Sequence, residues 1–95
     1  MALKVKAFRS RPYLDYIKTL PCCHCQRPGQ DPHHLMVKEV GGIGITTPDI
    51  AAVPLCRICH TMIQPHAKSY PQLKWLIQTL NRALIDGALK ISLPI

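Results

Sequence analysis

Two pairs of cysteines constrain this chain more than any other feature. Cys22 and Cys25 form one C-x-x-C motif, and Cys56 and Cys59 form a second. Two intervening residues allow a tight turn to direct both sulfurs of a pair to one ion, and a second pair completes the tetrahedron of thiolates that structural zinc prefers. The sequence therefore predicts a closed zinc site, which stabilises the fold and leaves no coordination position open for catalysis.

The composition fits a small domain that needs such a site. The chain has 95 residues, of which 47% are hydrophobic and only 5% aromatic, so a hydrophobic core alone gives marginal stability. No stretch approaches the roughly 20 apolar residues of a membrane span, and the N-terminus lacks the apolar segment of a signal peptide. An intracellular location is expected, where paired cysteines bind metal rather than form disulfides.

The charge is strongly positive and unevenly spread. The formal net charge is +7, and the first twelve residues contain Lys4, Lys6, Arg9 and Arg11 without any acid. Such a bias favours a polyanionic partner, meaning nucleic acid or an acidic membrane surface. A solvated, solubilising tail is the alternative interpretation. The predicted organisation is a basic arm over residues 1–11, one domain over 12–88 and a tail over 89–95.

Patterns along the domain predict both helices and strands. The elements are a helix over 12–20 capped by Ser10, a strand from His33 to Val40, a glycine-rich loop, a β segment over 50–55, a helix from Arg57 to near Pro65, and a longer helix from Pro71 that stops at Gly87. Pro54 excludes a central position in a sheet for the second strand. Glycines 41, 42 and 44 are expected to let the loop turn tightly, with a phosphate cradle as the alternative.

The last helix carries one apolar stripe. Its spacing is helical, and we expect it to pack in the core rather than to form a partner surface. The stripe consists of Leu73, Leu76, Ile77, Leu80 and Leu84.

Four histidines remain once the cysteines are assigned to zinc. His60 directly follows Cys59, and His33 and His34 lie close to the first cysteine pair, so the zinc site draws all three towards one region. Neighbouring residues of a strand face opposite sides, so the doublet is suited to two different tasks. The alternative is that one histidine packs and the other is solvated. Cys23 and His24 are expected to be bystanders.

The order of these motifs resembles a known family. C-x-x-C, D-x-H-H, a glycine-rich loop, P-D and L-C-x-x-C-H together are similar to the HNH, or ββα-metal, nucleases. More narrowly, the chain looks like small phage and prophage HNH proteins linked to recombination. The resemblance covers residues 20–64. It implies an α+β fold, namely a small ββα-metal domain that is treble-clef-like, is held together by zinc and has flanking helices. It also implies a metal-dependent DNA endonuclease that acts in the bacterial cytoplasm and leaves 5′-phosphate ends.

The resemblance also implies residue roles. His34 becomes the general base, while His33 and His60 become ligands of a catalytic divalent ion. The family usually has Asn at a position where this chain offers Asp49, which could hold the tautomer of the base. The last family ligand falls on Gln64, with His66 as the alternative.

Phosphodiester hydrolysis requires an activated water and charge stabilisation. A neutral histidine suits the first task, and a divalent ion suits the second. The expected cofactors are structural Zn²⁺ and a catalytic Mg²⁺, Mn²⁺, Ni²⁺ or Zn²⁺. The expected partners are DNA and phage or host recombination proteins, with no membrane partner, and the protein is either a monomer or a homodimer. The cations predicted to contact phosphates are Lys4, Lys6, Arg9, Arg11, Lys38 and Arg57.

A second functional class remains open at this point. A non-catalytic zinc-binding module that binds nucleic acid or a recombination protein would need only the four cysteines and the basic surface. The missing asparagine and the weak fourth ligand favour that interpretation.

Overall fold

A two-stranded antiparallel sheet forms the centre of the protein. The structure, a computed structural model, describes residues 7–37 and 47–93. Strand β1 (Asp31–His34) pairs with β2 (Ala52–Leu55), so that His33 lies opposite Val53 and His34 opposite Ala52. Pro32 faces Pro54 across the sheet. Both prolines are tolerated because each strand of a two-stranded sheet is an edge strand, as the sequence predicts for Pro54.

Strand β1 begins and ends earlier than predicted. It starts at Asp31 and stops at His34. The Leu35 N–H still donates to the Ala51 carbonyl, but the Met36 N–H donates to the side chain of Gln72, at 2.9 Å. The strand therefore ends just before Met36, whose backbone N–H bonds the Gln72 side chain instead of a backbone carbonyl of β2. The last three residues of the predicted strand, Lys38 to Val40, and glycines 41, 42 and 44 lie outside the described residues, as do Lys4 and Lys6.

In the part of the chain that the structure describes, three α-helices surround the sheet. Helix α1 (Arg11–Ile17) begins at Ser10, whose hydroxyl accepts from the Tyr13 N–H at 3.2 Å, as the sequence predicts. Helix α2 (Arg57–Ile63) is followed by a short 3₁₀ helix, Gln64–Ser69. Helix α3 (Gln72–Ile85) ends before Gly87, which has a φ of 78°. The predicted small α+β fold is thus confirmed at the level of helices and strands.

Two apolar clusters hold these elements together. The first lies between the sheet, α2 and α3, and the second joins α1 to the C-terminal half of α3. The second contains Tyr13, Ile17, Leu20 and Ala83. The first contains Leu35, Val53, Leu55, Ile63, Trp75 and three cysteines. Among the helices in the described ranges, none is long and apolar enough to cross a membrane.

The prediction for the apolar stripe of α3 holds only in part: Leu76 packs against the first cluster and Leu80 is half-buried, but the other three members are not in the core. Leu73, Ile77 and Leu84 are exposed, by 46%, 66% and 39%. The buried face instead carries Gln72, Trp75, Thr79 and Ala83. Two of these are polar, but Gln72 and Thr79 each have a partner in the interior, and a polar side chain is readily buried when it is hydrogen-bonded. Apolar spacing therefore did not identify the most deeply buried face of the helix.

This correction leads to a stability prediction. Trp75→Ala should cost about 3–5 kcal/mol because it leaves a cavity beside the cysteines, whereas Ile77→Ala on the exposed face should change the stability by no more than about 0.5 kcal/mol. Urea unfolding followed by circular dichroism measures both. Equal losses for the two variants would show that the exposed stripe is packed in solution.

Candidate metal centre and histidine site

The four predicted cysteines come together in the structure. Their Sγ atoms all lie within 4.8 Å of one another, and Cys25 and Cys56 have their sulfurs 3.6 Å apart. Cys22, Cys56 and Cys59 are buried, and Cys25 is half-buried. Within residues 7–37 and 47–93, no other group of three or more Cys, His, Asp or Glu side chains is so closely spaced. The cluster could therefore hold one metal ion.

Local backbone geometry sets up this cluster. Cys56 caps the start of α2, and its sulfur accepts from the Cys59 N–H at 3.4 Å. Burial raises the pKa of the Cys22 thiol, but backbone hydrogen bonds from Cys25, Cys56 and His24 outweigh burial and bring that pKa down to about 7. Burial and the neighbouring thiols raise the pKa of Cys59. Such backbone donors stabilise a thiolate, the form that binds metal.

The two expected bystanders differ from each other. Cys23 is directed away from the cluster, with its sulfur 3.8 Å from the Thr79 hydroxyl, and burial raises the pKa of Cys23 to about 11. His24 has its Nδ1 3.5 Å from the Cys59 sulfur and packs edge-on against Tyr70. His24 therefore contacts the cluster directly, a role that sequence reasoning missed.

The second histidine of the doublet pairs with the predicted aspartate. His34 Nε2 donates to Asp49 Oδ1 at 2.9 Å. The same carboxylate accepts from Arg9 Nη1 at 2.9 Å and from the Ser10 N–H at 2.8 Å. Burial raises the pKa of Asp49, but these three hydrogen bonds outweigh burial and bring that pKa below its ordinary value. Asp49 is thus a buried carboxylate acceptor, and in a neutral His34 imidazole that donates to it the lone pair lies on Nδ1.

Hydrogen bonds to Asp49 also hold the C-terminal residues of the predicted basic arm in place. Besides the Arg9 and Ser10 bonds, the Asp49 N–H donates to the Phe8 carbonyl at 2.9 Å. Residues 8–10 therefore pack beside the His34–Asp49 pair rather than separately from the domain.

The first histidine of the doublet faces the other side of the sheet. His33 is only 2% exposed, and its ring lies 5.2 Å from the His60 ring, centre to centre, at 80°. His33 Nε2 is 3.0 Å from Gln72 Oε1. Burial lowers the pKa of His33, and the nearby His60 and His34 lower it further, which outweighs the opposing effect of Gln72. His33 is therefore neutral at neutral pH, as a metal ligand must be.

Asp31 lies on the same face of β1 as His33 and forms a hydrogen bond with His60. His60 Nδ1 donates to Asp31 Oδ2 at 3.1 Å, and Arg57 donates to Oδ1 at 3.0 Å. Hydrogen bonds from Arg57 and His60 lower the pKa of Asp31. Asp31 is two residues before His33, so the alternation of a strand places both on one face. This residue was missed, although its position in D-x-H-H was a usable signal.

Gln64 directly follows α2, one turn after His60, whereas His66 is not brought to the His33–His60 pair. Both are exposed and line a surface pocket formed with Met36 and the residues of the 3₁₀ helix. His66 forms no three-residue ligand group with the two histidines in the described ranges. The 3₁₀ helix itself is kinked at His66, which has a φ of −126°.

The arginines predicted to bind phosphates each pair with an aspartate. Arg9 pairs with Asp49 and Arg57 with Asp31. Arg11 pairs with Asp15 within α1, at 3.3 Å. The Arg11 and Arg57 side chains remain 80% and 70% exposed, so most of their N–H groups face solvent.

Comparisons with known proteins place the chain in a family. A family model described as "Protein of unknown function (DUF968)" matches residues 2–90. The Escherichia coli (strain K12) protein named "Uncharacterized protein YdfU" is 34% identical over an alignment of 82 positions, which covers 81% of this chain and 24% of that relative. The chain thus spans a minor part of the relative's length. No solved structure matches the chain. Because the family model covers nearly the whole sequence, the chain belongs to the DUF968 family.

Proposed function

We propose that the protein is a metal-dependent DNA endonuclease of the HNH type, with a structural zinc site and a role in phage- or prophage-linked recombination or DNA processing. One observation carries the proposal. The adjacent histidines of β1 have separate partners suited to separate tasks, His34 with Asp49 and His33 with His60.

His34 has the features of a general base. Its Nε2–H is held by the Asp49 carboxylate, so Nδ1 is the atom able to accept a proton. The side chain is 35% exposed, which allows water to reach it. In the proposed reaction Nδ1 takes a proton from the attacking water, and Asp49, held by Arg9, stabilises the imidazolium that results.

His33 and His60 fit a divalent ion. Two imidazoles that bind one ion have their ring centres about 5 Å apart, and the observed separation is 5.2 Å. Asp31 orients His60, and His33 is neutral. A bound Mg²⁺, Mn²⁺, Ni²⁺ or Zn²⁺ would supply charge stabilisation at the scissile phosphate. With His66 outside the site, the two imidazoles leave most positions for phosphate and water.

The cysteine cluster fits zinc. A tetrahedral site with zinc–sulfur bonds of about 2.3 Å has sulfur–sulfur edges of about 3.8 Å. The 3.6 Å between Cys25 and Cys56 is close to this value. The site connects the turn before β1 to the start of α2, and so fixes His60 relative to His33.

A basic groove beside Asp31 supports a nucleic-acid substrate. It has a volume of about 300 Å³, and its lining includes Arg11 from α1, Lys18 directly after α1 and Arg57 from α2. Exposed ion pairs are weak, so these cations can exchange their aspartate partners for phosphates. Because Asp31 also bonds His60, phosphates in this groove would lie next to the proposed ion site.

The direct test is nicking of supercoiled plasmid. We expect the zinc-loaded protein to convert supercoiled plasmid to the open-circular form with Mg²⁺, Mn²⁺ or Ni²⁺, and to lose this activity when a chelator removes the added ion. Gel electrophoresis measures the conversion. No conversion with any of these ions, nor of branched or single-stranded substrates, would reject the nuclease assignment.

A non-catalytic zinc-binding module is the second candidate. The observation in its favour is that His33 and His60 lack a third Cys, His, Asp or Glu ligand within residues 7–37 and 47–93. Such a module would bind nucleic acid or a recombination protein through the basic groove without cleaving anything.

Metal stoichiometry separates the two candidates. The nuclease should bind one zinc and one further divalent ion per chain, and His60→Ala should remove only the second, because an imidazole ligand is lost. Thr61→Ala is the matched control, since Thr61 is exposed on the same helix. Calorimetric titration of the zinc-loaded proteins with Mn²⁺ or Ni²⁺ measures the second ion. A single ion in the wild type would favour the binding module.

A further inference from the structure

Gln72 is a buried polar residue at the start of α3 that the proposed reaction does not use. It is 1% exposed, and its side-chain amide makes three hydrogen bonds. Oε1 lies 2.9 Å from the Met36 N–H and 3.0 Å from His33 Nε2, while Nε2 donates to the Ala67 carbonyl at 2.9 Å. A buried amide with this many partners is fixed in orientation.

These partners determine which nitrogen of His33 carries its proton. The Met36 N–H can only donate, so the atom that faces it must be the amide oxygen. The Ala67 carbonyl can only accept, so the amide nitrogen must face it. The same oxygen faces His33 Nε2. His33 is therefore protonated on Nε2, and its lone pair lies on Nδ1.

His60 has the opposite tautomer for a parallel reason. The Asp31 carboxylate accepts from His60 Nδ1, so the lone pair of His60 lies on Nε2. The two rings stand 80° apart with their centres separated by 5.2 Å. The pair thus offers one Nδ1 and one Nε2 lone pair, each selected by a hydrogen bond to the other ring nitrogen.

We propose that Gln72 is a positioning residue that fixes His33 in the Nε2-protonated tautomer and thereby selects Nδ1 as its ion-binding atom. The inference rests on the proposed function, because it takes His33 and His60 as the ion site. It adds a residue from α3, which lies outside residues 20–64, the range that the nuclease resemblance covers. Outer hydrogen bonds of this kind typically change metal affinity by about 10- to 100-fold.

A purely structural role makes a different prediction. Gln72 joins the Met36 and Ala67 backbones, so its loss could lower stability without affecting His33. Gln72→Met keeps the volume and removes all three hydrogen bonds. Gln72→Glu keeps an acceptor for Met36 and His33 but loses the donor to Ala67. Gln78→Met, at an exposed position of the same helix, is the matched control.

Two measurements on the zinc-loaded protein test the proposal. Two-bond ¹H–¹⁵N correlation spectra of histidine-labelled protein report the tautomer of His33, assigned with His33→Asn. In the wild type we expect a protonated Nε2 and an unprotonated Nδ1. Calorimetric titration with Ni²⁺ should show affinity reduced about 10- to 100-fold in Gln72→Met and nearly restored in Gln72→Glu. Gln78→Met should match the wild type.

Several results would overturn the proposal. They are an Nδ1-protonated His33 in the wild type, an affinity loss in Gln72→Glu as large as in Gln72→Met, and a lowered melting temperature in Gln72→Met with unchanged Ni²⁺ affinity. The wild-type spectrum decides the tautomer even if Gln72→Met does not fold. Failure of the nuclease assignment is distinguishable, because Gln72-dependent Ni²⁺ binding in a protein that nicks no DNA would support this inference while rejecting that function.

Discussion

His34→Ala should lower plasmid nicking by about 10²- to 10⁴-fold, the usual contribution of a positioned general base. The imidazole is the group placed to take the proton from water, because Asp49 holds its Nε2–H and leaves Nδ1 free. The side chain is 35% exposed, so its removal leaves no large buried cavity. The melting temperature and the zinc content should therefore stay near those of the wild type. Initial nicking rates under saturating divalent ion give the measurement.

Variants of Asp49 serve as a graded control for this result. In Asp49→Asn an amide oxygen can still accept from His34 Nε2, so part of the nicking activity should remain. Asp49→Leu provides no acceptor and should be close to His34→Ala. Equal nicking by the wild type and His34→Ala would exclude His34 as the base and leave the His34–Asp49 pair as a structural contact.

Cys56→Ser should unfold the protein. Structural zinc sites contribute on the order of 10 kcal/mol to folding, which is comparable to the whole stability of a small domain, about 5–15 kcal/mol. Cys56 belongs to the sulfur cluster and also caps α2, so its loss affects the ion and the helix that carries His60. Circular dichroism and zinc content measure the outcome.

Cys23→Ser provides the matched control. Cys23 is the one cysteine outside the cluster, with its sulfur near Thr79. This variant should bind zinc normally and remain folded, because a serine hydroxyl can still pair with Thr79. If Cys56→Ser stays folded at the wild-type melting temperature, or if Cys23→Ser loses zinc, the four-cysteine assignment is wrong.

Local signals in the sequence predicted much of the fold. Ser10 before Pro12 identified the start of α1, and Gly87 identified the end of α3. These features act through nearby backbone groups, so their effect can be read without tertiary structure. The apolar stripe of α3 was only a partial signal because burial depends on the partner surface. Thr79 and Ala83 face the core, where Thr79 finds a hydrogen-bond partner and both side chains are small.

In the candidate site, too, local spacing predicted some contacts, whereas others depend on tertiary structure. C-x-x-C spacing predicted the cysteine cluster, since two short turns dictate which sulfurs can share an ion. The partner of His60 could also have been inferred, because Asp31 and His33 alternate onto one face of β1. Gln72 could not, since it lies far along the chain from His33 and carries no motif.

The sequence alone determined which side chains are available for chemistry: four paired thiols, a histidine doublet, His60 and Asp49. The family resemblance implied how the doublet is divided, and only the tertiary structure decided which further residues hold each member. It placed Arg9 on the Asp49 carboxylate that holds His34, on one side of the sheet, and Gln72 on the His33 ring that faces His60, on the other. The physical reason is that ring orientation and tautomer depend on single hydrogen bonds to residues distant in the chain, and no local pattern encodes those partners.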